Sequence, residues 1–481
     1  MKKILLDQNN RRNRKKIWIY TATASLSVVL LTYLMISSYY NNHFYKNTII
    51  NGINTSNMTV KQVEDAINSQ IRSYNLTLKE RNDKTEEITG KDINLHATFD
   101  GSIEKLMDEQ KGYLWPMYLA KSNELEVSTT HEYDESLLKQ FFNELECFYE
   151  DNNIKPKNAY ISEYTNNGYQ IIPEDPGSKV KEDVLYDEIK KAIATLESSI
   201  SLEEINAYEE AKIKSDYPKL VKAVDEMNKI ASAKITYEFG EDIEIVDGNR
   251  ISEWILVDDD YKVSLDEGGI KEFVDYIGRT YNTFGKERTL KTSYGKVIQI
   301  SGGDYGWWLN RGQEVTELTE LILDGKEVVK EPAYYQKASQ YGEDDIGDTY
   351  VEVNITAQHL FFYKEGKLIL ESDFVSGNIS KNYVNPTGTF PIQYKERDAT
   401  LKGEDYATPV KYWMPFNGNI GFHDAYWRDS FGGDIYLTNG SHGCINMPPA
   451  AAKIMFENIE RGVAVFVYEL EGTENHNKEG K

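Results

Sequence analysis

Apolar residues change their period several times along this chain, and each change marks an element. From Ile17 to Ser38 no charged residue occurs. Rising ~1.5 Å per residue, such a helix spans about 33 Å, enough to cross the apolar core of a bilayer. Next, Asn57-Met58-Thr59 caps a predicted helix with Val60, Val63, Ile67 and Ile71 on one face. Leu76 to Lys79 and Ile93 to Phe99 alternate as strands do, and Leu138, Phe141, Leu145 and Phe148 make the apolar face of a helix that includes Cys147. Leu185, Ile189, Ala192, Ile193 and Leu196 mark a further helix after the turn Pro173-Glu174-Asp175-Pro176-Gly177. From about Tyr217 the plan starts again, with a helix to Ala231, a strand over Ala233 to Glu238 and a helix near Gly268 to Thr283.

Beyond the polar, glycine-bearing link Tyr341 to Gly347 the period shortens to two. Val351, Val353 and Ile355 alternate, Leu360 to Tyr363 and Leu368 to Leu370 flank Lys364-Glu365-Gly366-Lys367 as a hairpin, and Val463 to Tyr468 closes the region. One helix, with Ala451, Met455 and Ile459 aligned, follows Pro448-Pro449. The fold class is therefore α+β. The expected divisions are a basic stub (1–16), a membrane helix (17–39), two α+β modules (40–213 and 214–345), a mainly-β domain (347–470) with one helix after Cys444, and a polar tail (471–481).

Charge orients the first helix. Lys2, Lys3, Arg11, Arg12, Arg14, Lys15 and Lys16 stand against Asp7 alone, so the positive-inside rule predicts a cytoplasmic N-terminus and an extracytoplasmic remainder. Trp18, Tyr20, Tyr39 and Tyr40 suit the two interfaces. The apolar run is longer than the core of a usual signal peptide, and no small-x-small cleavage pattern follows it, so an uncleaved anchor is expected. The full chain of 481 residues carries −24 net charge, which argues against nucleic acid and against anionic polymers bound by charge. Of its two cysteines, Cys147 is expected as a buried thiol rather than half of a disulfide.

The other, Cys444, stands in Ser441-His442-Gly443-Cys444-Ile445-Asn446, with His423 upstream. A thiol near its ordinary pKa of ~8.5 is only slightly ionised at neutral pH, so a nucleophilic cysteine needs a base close by. Gly443 allows close backbone approach, and the N–H groups around Gly443 and Cys444 are candidates for an oxyanion site. The pattern points to acyl transfer through a thioester.

His423, 17 intervening residues and then Ser441 to Asn446 resembles the signature of the L,D-transpeptidase catalytic family. Asn385-Pro386-Thr387-Gly388-Thr389-Phe390 is similar to that family's upstream proline-glycine segment. The resemblance covers roughly Thr349 to Leu470 and departs at Asp424, where the family usually has glycine. It implies Cys444 as nucleophile, His423 as proton donor and acceptor, and Ser441, His442, Gly443 and Asn446 shaping the site. A backbone carbonyl near Asp424, or the Asp424 carboxylate, would orient the histidine. Tyr412, Trp413, Met414 and Phe416 are candidate substrate contacts lining a cleft, although core packing is the stronger reading for an aromatic cluster in a β-domain. The preceding modules resemble peptidoglycan-binding modules; within them Ser301-Gly302-Gly303-Asp304-Tyr305-Gly306-Trp307-Trp308 reads either as a turn on a domain interface or as a glycan-contacting surface.

The implied reaction joins peptidoglycan stem peptides by 3→3 cross-links, releasing the terminal D-residue of a donor, without a cofactor or metal and with carbapenem-type β-lactams as inhibitors. L,D-carboxypeptidase activity of the same site, a non-catalytic wall-binding protein and a zinc site from His423, His442 and Cys444 remain open on the residues alone. Papain-like enzymes place Cys before His, and sortases carry a threonine-leucine pattern absent before Cys444.

Overall fold

The structure, a computed structural model, describes residues 2–403 and 407–474. Of the expected polar tail, 475–481 lie outside the described residues. Two compact units form, one from Met1–Tyr160 with Ile172–Ser215, the other from Ile161–Ile171 with Asp216–Lys481. The first unit begins with the helix Lys2–Tyr39. Its stretch Asn10–Tyr39 is long and apolar enough to cross a membrane, and its most apolar window is not buried by the rest of the protein. The helix Val60–Arg72 starts on Thr59 with a reciprocal cap: the Thr59 hydroxyl accepts from Gln62 N–H, and the Gln62 side chain accepts from Thr59 N–H. Its Val63 and Ile67 pack on Phe44, Ile50 and Ile103. A second core of this unit joins Leu76, Leu78 and Ile88 with Leu138, Phe142, Leu185, Ile189 and Ile193.

Cys147 is buried as expected but not on a helix. The helix Glu135–Asn143 stops four residues earlier, and Cys147 sits in the single turn Glu146–Phe148. The cause is Glu86, whose carboxylate accepts from the N–H groups of Glu146 (2.7 Å) and Cys147 (2.9 Å) and so takes donors a continuing helix would need.

In the second unit, the strand Lys234–Phe239 pairs antiparallel with Asp242–Val246 and parallel with Glu327–Lys330. Helices Glu267–Tyr281 and Arg311–Asp324 supply Ile270, Val274, Leu318 and Ile322 to the core against Ile235 and Tyr237. The link before the β-domain is anchored rather than loose. Buried Asp345 receives Arg288 Nε at 2.9 Å and Nη2 at 2.7 Å, while the same guanidinium donates to the carbonyls of Thr283, Lys286 and Tyr305.

Among its described residues the β-domain has nine strands: β1 (Tyr350–Asn354), β2 (His359–Lys364), β3 (Lys367–Asp373), β4 (Gly388–Pro391), β5 (Glu396–Lys402), β6 (Ala407–Asn417), β7 (Ile420–Asp424), β8 (Ile445–Met447) and β9 (Ala464–Tyr468). They form a five-stranded sheet, β3-β2-β1-β9-β4, and a four-stranded sheet, β5-β6-β7-β8. Both sheets face one core, where Val351, Val353, Leu360, Phe362, Val465 and Val467 meet Met414, Phe416, Phe422, Ile445 and Met447. Besides α1 (Ile435–Asn439), the helix α2 (Pro449–Asn458) closes this core with Ala451, Ala452 and Met455.

Strand β9 is buried throughout because its other face is covered too. Ala464, Phe466 and Tyr468 pack with Leu290, Ile300, Tyr305 and Ile346, which precede the domain in sequence. The glycine-aromatic run continues this contact: Thr389 N–H donates to Gly302 C=O and Tyr305 N–H to Thr389 C=O, each at 3.0 Å. Gly303 has φ +85°, and a Cβ there would lie 2.1 Å from the Thr389 carbonyl oxygen, so only glycine fits. From Ser301 to Trp307 the run is thus an interface turn. Trp307 is buried and stacks on Tyr341 at 4.1 Å between centroids, while Trp308 stays exposed.

Candidate active site

The parallel pairing of β7 with β8 brings the chemistry together. Phe422 pairs with Ile445 and His423 with Asn446. Because side chains alternate along a strand, Phe422, Ile445 and Met447 enter the core, whereas His423, Cys444 and Asn446 share the opposite face. There they line a cleft of about 430 Å³ together with Tyr426, Trp427, Arg428, Ser441 and His442.

His423 is buried, and its Nδ1–H donates to the Asp424 carbonyl at 2.9 Å. That bond fixes the tautomer, leaving Nε2 with the lone pair. The Asp424 carboxylate is engaged elsewhere: its Oδ1 accepts from Lys411 N–H (2.8 Å) and Tyr412 N–H (2.9 Å). Of the two orienting groups considered, the carbonyl is the one on the ring. Burial lowers the His423 pKa, the Asp424 hydrogen bond opposes this, and the Arg428 charge lowers it further. Cys444 is partly exposed, and its thiol donates to the Asn419 carbonyl at 3.4 Å. Burial pushes this thiol up to about 11, against a smaller lowering by the Gly421 backbone. The resting pair is therefore a neutral imidazole and a protonated thiol.

The loop that carries Cys444 is tightly braced. Gly443 has φ +117°. The Ser441 hydroxyl accepts from Gly443 N–H (3.0 Å) and donates to Cys444 C=O (2.5 Å). The Gly443 N–H is thus committed to Ser441, and the Cys444 N–H is the other oxyanion donor expected from the sequence. Asn385, buried, donates to Gly443 C=O at 2.6 Å and accepts from Gly377 N–H at 2.9 Å. This brace lies in the proline-glycine segment, and no local sequence pattern shows its role, since the partner is 58 residues away. Exposed His442 sits 4.9 Å from the Tyr383 ring. Asn446 is buried, and its Oδ1 has no hydrogen-bond partner among the described residues, leaving an acceptor at the cleft.

Tyr412, Trp413 and Met414 are all buried, and none of the three lines the cleft. Tyr412 and Met414 point into the core between the sheets, because β6 pairs Met414 with Phe422. Trp413, paired with His423, is on the His423 face, buried with Ala399 and Val410 against Cys444 and 6.1 Å from the His423 ring. The aromatic rings that line the cleft are Tyr426 and Trp427, on the loop after β7, 5.0 Å apart. Trp427 lies 5.9 Å from the His423 ring. Among the described residues no group of three His, Cys, Asp or Glu side chains is arranged to hold a metal ion.

Residues 348–467 match the family described as "L,D-transpeptidase catalytic domain", and residues 213–330 match "Putative peptidoglycan binding domain". The crystal structure of a cysteine-to-serine mutant of an Enterococcus faecium L,D-transpeptidase is similar at 35% identity, covering 51% of this chain and all of that one, with a TM-score of 0.41. The catalytic domain of an E. faecium L,D-transpeptidase acylated by ertapenem is 46% identical, over 25% of this chain and 98% of that one, with a TM-score of 0.24. "Putative L,D-transpeptidase YciB" of Bacillus subtilis (strain 168) is 26% identical over 159 residues, 31% of this chain and 81% of that protein.

Proposed function

Since the chain belongs to the L,D-transpeptidase family and is an L,D-transpeptidase enzyme, we propose that it forms 3→3 cross-links between peptidoglycan stem peptides through a thioester on Cys444. The observation that carries this reading is the shared face of His423 and Cys444, with Nδ1 tied to the Asp424 carbonyl so that Nε2 is the basic nitrogen. His423 Nε2 takes the thiol proton as Sγ attacks the carbonyl carbon of the L–D bond in a donor tetrapeptide. The C–S bond forms, the carbonyl electron pair moves onto oxygen, and the Cys444 N–H stabilises it. Collapse breaks the C–N bond, and the imidazolium hands its proton to the departing amine of the terminal D-residue. The side-chain amine of an acceptor stem then attacks the thioester carbonyl, its proton passing to His423; the new C–N bond stays as the C–S bond breaks, and His423 returns the proton to the departing sulfur. Tyr426 and Trp427 limit water while the acceptor binds.

The same reading sets the helix within Asn10–Tyr39 across the cell membrane, the basic stub in the cytoplasm and the catalytic domain facing the wall, which 213–330 helps to hold. It also makes the chain a target of carbapenem-type β-lactams. The test is intact-mass analysis of products when the detergent-solubilised full chain meets a disaccharide tetrapeptide. Release of one D-residue with dimer formation is expected. Release without dimer assigns L,D-carboxypeptidase activity instead, and wall binding without release assigns a binding protein. Cys444→Ala should abolish release and carbapenem acylation alike. For the anchor, alkaline carbonate should leave the chain with the membrane; a shortened soluble product would show a cleaved leader.

A further inference from the structure

The cleft holds a cation that the reaction described above does not use. Arg428 follows Trp427 on the loop after β7 and lines the same cleft as His423 and Cys444. It is half-buried. One nitrogen, Nη1, donates to the Asn439 carbonyl at 2.9 Å, and Nε is buried without a partner among the described residues. No carboxylate pairs with it there, although the chain holds 78 acidic residues against 54 basic ones, an excess that favours pairing. Burying a guanidinium costs free energy that a neighbouring carboxylate normally offsets, and burial alone already lowers its pKa. The charge also acts unfavourably on the imidazolium of His423. An unpaired cation beside the base is thus a cost to the free enzyme, of the kind that a bound anion relieves.

Resting on the function proposed above, we propose that Arg428 binds the free α-carboxylate of the donor's terminal D-residue, making it the group that selects a stem with a charged C-terminal end. The leaving D-residue is the one part of the donor that must carry a carboxylate next to the scissile bond. A planar guanidinium whose Nη2 makes no hydrogen bond among the described residues suits a carboxylate. Asn446 Oδ1, the unpartnered acceptor in the same cleft, suits a peptide N–H, so the two residues would read different groups of one peptide end. Once the bond breaks, the carboxylate departs with the amine and the site is reset.

The full-length enzyme is given two donors, the disaccharide tetrapeptide and the same compound with its terminal carboxylate converted to a primary amide, and release of the terminal residue is followed by mass spectrometry. The wild-type enzyme should prefer the acid through KM. Arg428→Gln should raise KM for the acid by about 10- to 100-fold and change KM for the amide far less, so the preference disappears. Arg428→Lys should keep part of it. Alkylation of Cys444 by iodoacetamide should run at the wild-type rate in Arg428→Lys, which keeps the charge beside His423. Equal losses on acid and amide, slowed alkylation, or an undiminished preference would each overturn the proposal. Should Arg428→Gln fail to fold, the Lys variant alone decides, because it must raise KM for the acid selectively. Failure of wild-type enzyme to release a residue from either donor would count against the broader function instead.

Discussion

At the scale of single residues, protonation sets the behaviour of the site. Burial holds the His423 pKa below its ordinary 6.5 and pushes the Cys444 thiol up to about 11, so the proposed base is neutral at pH 7 while the proposed nucleophile holds its proton until substrate arrives. Acylation by a carbapenem should therefore persist below pH 6.5 and fall only as the lowered histidine pKa is crossed. Iodoacetamide, which needs preformed thiolate, should react slowly at pH 7 and faster toward the alkaline range. A preformed thiolate–imidazolium pair would instead give fast alkylation from acidic pH upward, and stopped-flow measurement of both reactions tells the two apart. Asn385→Ala removes the donor to the Gly443 carbonyl in a buried setting, with an expected cost of about 1–3 kcal/mol. It should lower kcat more than it lowers the melting temperature, because the brace acts on the loop that carries Cys444. The sequence made His423 and Cys444 legible, since residue types and spacing are read directly. Asn385, Tyr426, Trp427 and Arg428 were not legible, because which side chains reach the cleft depends on how the loop after β7 folds back. Tyr412 and Met414 stay open between cleft and core in the sequence for the converse reason: a cluster on a strand of unknown register has no readable face.

At the scale of elements, the hairpin of β2 and β3, the closing strand β9 and the helix α2 follow from alternation and from proline at a helix start. Strand β9 also shows where a pattern stops being informative. Five successive buried residues fit a strand covered on both faces, yet nothing in the run says which segment covers the second face. The turn at Gly303 supplies the answer and a test. Gly303→Ala forces a Cβ to 2.1 Å from the Thr389 oxygen at a positive φ that already costs about 1–2 kcal/mol. The pairing of Gly302 and Tyr305 with β4 should loosen, visible as faster hydrogen exchange at the Thr389 and Tyr305 amides. Because β4 follows the Asn385 segment directly, kcat should fall with it. Cys147 marks the opposite limit of pattern reading: the periodicity of Leu138 to Phe148 suggested one helix, and a carboxylate from a distant strand ended it early.

For the whole molecule, the interface of 290–346 with the β-domain is part of the fold of the second unit. Asp345→Asn leaves the Arg288 guanidinium buried without its counter-ion, and about 3–5 kcal/mol of stability is expected to be lost. Differential scanning calorimetry should show the transition of this unit shifting down. Deleting the first 39 residues should leave release of the terminal D-residue intact on soluble substrate while the protein no longer sediments with membranes.

The different settings of the two sulfurs offer a gauge of folding as well as chemistry. Cys147 is sealed in the first unit, and burial pushes its thiol far above the ordinary range, whereas Cys444 opens onto a cleft. An electrophile counted by intact mass at alkaline pH should add once to native protein. A second adduct would appear only when the first unit opens, so the stoichiometry of labelling during a denaturant titration follows the unfolding of one half while occupancy of the first position reports on the other.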